Sequence, residues 1–477
     1  MKLYNSESKS IEDFVPRCGK NVTLYTCGPT VYHFAHIGNL RSYIMEDVLE
    51  KTLKHLGYNV KRVMNITDVG HLSSDGDAEE DKMLIGAKRE NKPILEIALE
   101  YTEAFKLDCE KLKLKWPEIV VPATSCIDEY IKIISSLIDK GFAYVSVGNV
   151  YFDTSKLKNY YRFGNQNLDN LVVGAREDVE EDFSKKNQND FVLWFTKSKF
   201  ENQALKWDSP WGTGYPGWHI ECSGISHKYL GEYLDIHCGG VDNKFPHHTN
   251  EIAQTESYIG HKWCNYWFHV EHLNTKNGKM SKSAGGFLTL AGLEEMGYSS
   301  LVYKFFCLQS HYRKQLIFSE ETLNFAKLAY EKLLKRIISL KSDNSLIDNE
   351  KMIEFRNKFN VALENDLNTS LALTTIFDVL KSNISNNTKI ELLKDFDFVL
   401  DLGFADALNN NKINEIPTEH QNINDQLRIK IDALIEKRKA AKQQGDYASA
   451  DAIRDDLLSM GLELVDTKEG TTYKIKK

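Results

Sequence analysis

No stretch of about 18 apolar residues occurs in the 477-residue sequence, so no membrane-spanning helix is expected. The opening residues, MKLYNSESKSIEDF, contain no apolar run of the kind a secretory signal needs. None of the eight cysteines (Cys18, Cys27, Cys109, Cys126, Cys222, Cys238, Cys264 and Cys307) form a CxxC pair. A chain of this size does not need a disulfide framework, and a reducing, cytoplasmic compartment is expected. Internal repeats are also missing, which excludes a solenoid. Nor is there an excess of positive charge: 60 Lys and Arg against 68 Asp and Glu leave −8. That balance argues against whole-molecule attraction to nucleic acid and leaves local basic patches open. What remains, 42% hydrophobic and 27% charged, is ordinary for a globular chain. Its length allows about two to four domains, each with its own core.

Residues 21–26, NVTLYT, alternate and are rich in β-formers, and they run into the turn signal CGPT. From Leu40, LRSYIMEDVLEKTLKHLGY has helical periodicity and stops at Gly57, a residue suited to the position after a helix end. VKRVMNITD then reads as a second strand. Strand, helix and strand make a βαβ unit, so a parallel sheet begins here. From about 92 to 140 the pattern is helical, broken near Trp116 and Pro117. Residues 141–215 read as short strands and polar segments, after which GWHIECSGISHKYLG and YLDIHCGG restore the alternation of helix and strand. Such an interruption indicates one sheet split by an inserted domain. Beyond about residue 319, amphipathic helices with few glycines predict a bundle. Residues 408–425 are polar and Asn-rich, a linker, and a small unit ending in TTYKIKK closes the chain.

AHIGNLRS, at 35–42, falls where the first strand meets its helix. Ligands sit at the carboxyl ends of parallel strands, and helix N-termini favour phosphate. His36 and Asn39 can donate hydrogen bonds there, while Gly38 lets a base or ribose approach the backbone. A histidine at a helix start can equally be a cap. NGKMSKSAGG, at 277–286, places Lys279 and Lys282 among serines and glycines, which suits a loop closing on a polyphosphate as well as a solvated turn. Together and in this order the two stretches are the signatures of class I aminoacyl-tRNA synthetases, which the chain resembles. A metal site is also suggested, because His247 and Glu251 are four apart and share a helix face. With Cys27 at the end of the first strand and Cys222 where the sheet resumes, they make an S, S, N, O set suited to zinc. Buried hydrophobic cysteines and a solvated helix face would produce the same letters.

Within that class, YTCGPTVYHFAHIGN, NITDVG, DFVLW, SPWGTGYPGWHIECS, DIHCGGVDNKFPHHTNEIAQ, KMSKS, HYRKQL and ADAIRDDLLSMG resemble the cysteinyl-tRNA synthetase family along the whole chain. The resemblance implies an α/β fold. A Rossmann-like parallel-sheet catalytic domain lies in two halves, 1–115 and 216–265, split by a connective domain at 116–215. A KMSKS stem-contact region follows at 266–318, then a helical bundle at 319–407, the linker at 408–425 and an anticodon-binding unit at 426–477. It also implies ATP-dependent activation of L-cysteine to cysteinyl-adenylate and transfer to tRNA(Cys), with Mg²⁺ accompanying ATP. One zinc per chain would be held by Cys27, Cys222, His247 and Glu251 and would bind the substrate thiolate. Gly28, Thr67, Trp218 and Asp242 would complete the cysteine pocket, Trp218 covering the side chain and Asp242 holding the ammonium. As blander readings, Trp218 is core and Asp242 a turn residue. His36, Gly38 and Asn39 would serve ATP from one side, Lys279 and Lys282 from the other.

The same resemblance makes EKRKAAK, at 436–442, a phosphate-contacting face and Tyr447 a stacking platform for an anticodon base. A monomer without a membrane partner is expected. Asn39 stands where the class signature has its second histidine, and Thr249 replaces a glutamate common in the family. Cys238 occupies a position that is usually glycine, as packing or as an extra thiol, and His248 has no assignment. Two rivals are a paralogous ligase that hands cysteine to an amino-sugar amine and a structural zinc protein that binds RNA without catalysis.

Overall fold

The computed structural model describes residues 1–69, 82–164, 184–197, 205–275, 278–279, 288–342, 345–409, 438, 450, 453–454, 462–467 and 470–475. The chain forms two compact units, Met1–Leu408 and Asn409–Lys477. In the first, β1 (Lys2–Asn5) and β2 (Ser10–Asp13) make an antiparallel hairpin. The βαβ unit follows as β3 (Asn21–Thr26), α1 (Ile37–His55) and β4 (Asn59–Ile66), with Asn21 opposite Asn59 and Thr26 opposite Met64. The helix begins three residues before the Leu40 expected from periodicity, because His36 caps it. Gly57, at φ 85°, turns the chain out of it.

After α2 (Lys82–Glu90) and α3 (Ile94–Lys111) the chain adds β5 (Ile119–Pro122), parallel to β4. The break expected near Trp116 and Pro117 in the helical reading of 92–140 thus holds a strand that the sequence reading did not single out. IVVP is too short for periodicity to classify, and only pairing at the sheet edge makes it a strand. The span 116–215 expected as an insertion therefore opens with a strand of the main sheet. α4 (Ile127–Asp139) comes next. An antiparallel sheet of β6 (Ala143–Ser146), β7 (Asn149–Phe152), β8 (Phe191–Phe195) and β9 (Tyr215–Pro216) follows. One buried cluster runs from Tyr25 and Val63 through Tyr130 and Ile134 to Phe152 and Trp194, so this sheet and the main sheet share a core.

α5 (Trp218–Leu230), β10 (Leu234–Gly240), α6 (His247–Ile259) and β11 (Cys264–Val270) complete a five-stranded parallel sheet of order β11-β10-β3-β4-β5. From β3 the chain proceeds to β4 on one side and, after the β6–β9 sheet, to β10 on the other. The crevice beyond the ends of β3 and β10 is thus a topological switch point, where ligands of open α/β sheets bind.

Beyond it, β12 (Leu273–Thr275), β13 (Gly278–Lys279), α7 (Leu290–Glu295), α8 (Ser300–Leu308) and β14 (Leu316–Phe318) form a small sheet with two helices. The helical stretch contains α9 (Glu320–Ile338), α10 (Asn349–Glu364), α11 (Thr369–Lys381), α12 (Asn386–Leu400) and α13 (Phe404–Asn409). Ser319, Asp348, Asn368 and Ser385 cap α9 to α12, each side chain accepting a backbone N–H three residues on. In the second unit β15 (Leu462–Thr467) and β16 (Gly470–Ile475) pair antiparallel. Among the described residues no helix is long and apolar enough to cross a membrane.

Candidate active site

Cys27 follows the last residue of β3, Cys222 lies in the second turn of α5, and His247 and Glu251 occupy successive turns of α6. The sheet order brings one donor atom from each to within 4.8 Å of the others. Sγ of Cys27 is 4.0 Å from Sγ of Cys222, which is 3.5 Å from Nε2 of His247. That nitrogen is 3.0 Å from Oε1 of Glu251. Cys222, His247 and Glu251 are buried, and Cys27 is half-buried.

Four more histidines surround the cluster. His237 Nε2 meets Glu251 Oε2 at 2.8 Å, and His248 Nε2 lies 3.4 Å from Cys27 Sγ. His248 Nδ1 contacts His269 Nε2 at 2.8 Å, and His219 Nδ1 contacts His247 Nδ1 at 2.9 Å. Cys27, His237, His248 and Glu251 form a second, overlapping donor group. His219, His237 and His269 escaped the sequence reading. Their signal was a histidine inside an otherwise apolar stretch, such as DIHC or WFHV, since a buried polar group needs a partner. Cys238 is fully buried in the sheet core and belongs to neither donor group, which is the packing role.

The cluster is strongly polarised. Burial raises the Cys222 thiol, but its hydrogen bonds with Cys27 and His247 and the charge of His247 bring it down to about 6. Burial opposes a charge on His247, yet Glu251 and Cys222 hold it protonated up to about 10. Against its burial, His237 and His247 take the Glu251 carboxyl down to about 2. Cys27 is pushed well up, first by burial and then by Cys222 and Glu251. His219, His248 and His269 are pushed well down by burial, reinforced by charged neighbours.

Of the expected pocket residues, Trp218 and Gly28 adjoin this cluster directly and Thr67 reaches it through Asn65. Trp218 stacks on the His247 ring, centroids 4.1 Å apart and planes at 19°. The Gly28 N–H donates to Asn65 Oδ1 at 2.8 Å. A Cβ at Gly28 would sit 1.6 Å from the Asn65 carbonyl oxygen, so only glycine fits. Thr67 Oγ1 donates to Glu221 Oε2 at 2.8 Å and accepts from Asn65 Nδ2 at 3.1 Å. Asn65 and Glu221 were not singled out from sequence. Asp242 is exposed on the helical turn after β10, where a side chain at Gly240 would meet its Oδ1.

On the α1 side, Nδ1 of His36 accepts the Asn39 N–H at 3.1 Å. The capping reading and the donor reading of His36 are therefore compatible, because a lone pair on Nδ1 puts the proton of the neutral ring on Nε2. A Cβ at Gly38 would come within 3.0 Å of the His36 ring. The Ile37 N–H donates to the Leu288 carbonyl at 2.9 Å, and His36 bridges Thr289, so the segment just after KMSKS lies against the start of α1. The Lys279 backbone, in β13, pairs with Asn274 of β12. Lys282, Tyr447 and the 436–442 run apart from Arg438 lie outside the described residues.

A family model described as the tRNA synthetases class I (C) catalytic domain matches residues 13–328. The chain is 44% identical over 501 residues to the cysteine-tRNA ligase of Treponema denticola, covering 99% of both chains. It belongs to the cysteine-tRNA ligase family. The cysteine-tRNA ligase of Borrelia hermsii is 42% identical over 487 residues, again with 99% of both chains covered. The chain is accordingly a ligase of the class I aminoacyl-tRNA synthetase group, and the amine-acceptor rival draws no support from these relatives. A solved structure of Mycobacterium tuberculosis methionyl-tRNA synthetase, in complex with methionyl-adenylate, shares the fold. It has 15% identity and a TM-score of 0.57, covering 82% of this chain and 93% of that one. In a cysteine-tRNA ligase the Cys, His and Glu cluster is consistent with a zinc site.

Proposed function

We propose that this cysteine-tRNA ligase uses Mg·ATP to convert L-cysteine to cysteinyl-adenylate and transfers the cysteinyl group to tRNA(Cys). Cys27, Cys222, His247 and Glu251 hold one zinc ion that selects the substrate thiol. The observation that carries this reading is the convergence of those four side chains. Tetrahedral zinc with bonds of about 2.3 Å to sulfur and 2.0–2.1 Å to nitrogen has S–S and S–N edges of about 3.8 and 3.5 Å. The corresponding separations here are 4.0 and 3.5 Å. Glu251 Oε1 is buried and faces the cluster, 3.0 Å from His247 Nε2, while His237 orients the other oxygen. When bound, the ion supplies a thiophilic centre to which a serine hydroxyl is a poor ligand at neutral pH.

Trp218 covers the substrate side chain, Asp242 takes its ammonium, and Gly28 and Thr67 shape the floor. A cysteine carboxylate oxygen attacks the α-phosphorus and pyrophosphate leaves; a tRNA ribose hydroxyl then attacks the carbonyl carbon and AMP leaves. No enzyme nucleophile is required, so positioning and charge stabilisation dominate. His36 and Asn39 donate to the phosphates beside Gly38, while Lys279 and Lys282 act from the opposite side, Lys282 on the transition state. In this reading residues 266–318 contact the tRNA stem and residues 426–477 read the anticodon, with the 436–442 run on phosphates and Tyr447 on a base. The enzyme works as a cytoplasmic monomer.

Lys282→Ala should raise the barrier to adenylate formation by about 2–4 kcal/mol, the usual cost of losing one oxyanion-type donor. ATP–pyrophosphate exchange near the wild-type rate in that variant would remove Lys282 from the mechanism. Zinc chelation should abolish cysteine-dependent exchange and tRNA charging. A Cys222→Ala protein that kept tightly bound zinc and normal selection of cysteine over serine would sink the pocket assignment.

A further inference from the structure

Arg41 lies on α1, five residues after His36, and its side chain is fully buried. Among the described residues it takes part in no ion pair and instead donates to four backbone carbonyls. Nη1 reaches Glu271 and His272, each at 2.7 Å, and Nη2 reaches Lys314 at 2.7 Å and His311 at 3.4 Å. A buried cation ordinarily needs a carboxylate to offset its lost hydration. Here carbonyl dipoles do most of this, with the Glu271 charge assisting, and among the described residues Nε has no partner. The planar fork of donors makes this possible, whereas an ammonium could not span both segments.

The four carbonyls belong to two stretches. Glu271 and His272 lead from β11 into β12, and His311 to Lys314 form the turn ahead of β14. β12 pairs with β14 on one edge and on the other with β13, whose second residue is Lys279. The guanidinium therefore joins the helix whose first turn carries His36, Gly38 and Asn39 to the hairpin that carries Lys279. Helix and hairpin supply the two sides of the proposed ATP site. The cysteine-side ligands on α5 and α6 make no hydrogen bond with Arg41.

We propose that Arg41 is a positioning residue for adenylate formation: it sets the β12–β13 hairpin, and with it Lys279, at a fixed distance from the first turn of α1. This rests on the ATP-site reading given under Proposed function. The test compares Arg41→Met and Arg41→Lys with wild type in ATP–pyrophosphate exchange, the active sites being counted by single-turnover formation of cysteinyl-adenylate. Zinc content and the KM for cysteine are measured alongside. The exchange rate per active site should fall by about tenfold or more in Arg41→Met, since misplacement by about 1 Å can cost 10²-fold. Arg41→Lys should recover part of the loss, and both variants should keep wild-type zinc content and cysteine KM. A per-site rate within about twofold of wild type in either folded variant would overturn the proposal, that being too small for displaced catalytic groups. So would a parallel loss of zinc and cysteine affinity, which would make Arg41 a general structural residue. If Arg41→Met does not fold, Arg41→Lys decides by the same split. Wild-type protein without cysteine-dependent exchange would instead overturn the functional reading, and this inference with it.

Discussion

The side-chain amide of Asn65 joins Gly28 and Thr67, two residues of the proposed cysteine pocket, to Tyr25 of β3. Its oxygen accepts from the Gly28 N–H and the Tyr25 hydroxyl, at 2.8 and 3.2 Å, and its nitrogen donates to Thr67. Asn65→Ala takes the acceptor from the Gly28 N–H and the Tyr25 hydroxyl and one donor from Thr67, and should destabilise the protein by about 1–3 kcal/mol, the usual cost of a buried polar group that loses its partner. Asn65→Asp keeps the acceptor oxygens but loses the donor to Thr67 and buries a carboxyl beside Cys222, so it should destabilise increasingly as pH rises and that carboxyl ionises. Urea denaturation of the two variants at several pH values checks both expectations, and an Asn65→Asp protein as stable as wild type at neutral pH would overturn the second. Gly28→Ala is the steric counterpart. Its Cβ would overlap the Asn65 carbonyl, so it should lower the melting temperature and impair cysteine activation together.

At the scale of elements, α1 is an unusual helix because its buried face is charged. Glu46, Asp47, Glu50 and Lys51 are all buried along it. Glu46 and Glu50 approach Arg62 of β4 at 3.3 and 3.4 Å, and Lys51 pairs with Asp47 and Asp401, each at 2.8 Å. Burial raises the Glu46 carboxyl to about 7, with Arg62 opposing the rise. The folded state therefore retains a proton that the unfolded chain gives up near its ordinary value of about 4.3. The unfolded state binds fewer protons between those limits, so this group's contribution to stability falls as pH rises from about 4.3 to 7. Glu46→Gln, which stays neutral, should gain a lead of about 4 kcal/mol, relative to its low-pH difference from wild type, as pH rises across that window. Chemical denaturation at several pH values measures the lead, and a pH-independent difference would count against the raised carboxyl. Among the bundle helices, Ser319 caps α9 by accepting the Thr322 N–H at 3.1 Å, and Ser319→Ala should cost about 1 kcal/mol in the same measurement.

For the whole molecule, the division at Leu408 separates the metal-type cluster, the switch-point crevice and α1 from the C-terminal unit. Adenylate chemistry needs only the first unit in the proposed reading. A protein ending at Leu408 should keep cysteine-dependent ATP–pyrophosphate exchange at a rate of the same order as the full chain. Its charging of tRNA should drop steeply as base and phosphate contacts are lost. Charging by the truncated protein at the full-length rate would remove residues 426–477 from tRNA recognition.

Local rules made much of this legible in the sequence. The four-residue spacing of His247 and Glu251, the stop at Gly57, the βαβ start and the amphipathic helices after 319 depend on periods of a few residues. The capping serines and asparagine act over three residues and are equally local. The tertiary structure alone decided what long-range register controls. Cys27 and Cys222 meet across 195 residues because α5, which carries Cys222, packs on β4, the neighbour of β3 in the sheet. IVVP became β5 through pairing at an edge, and His237 and His269 became neighbours of the cluster because their strands end beside it. Arg41 reads in sequence as a helical arginine like any other. Its four carbonyls lie 230 to 273 residues away, beyond any pattern of spacing, and only packing against β12 and the 311–314 turn gives its charge a purpose.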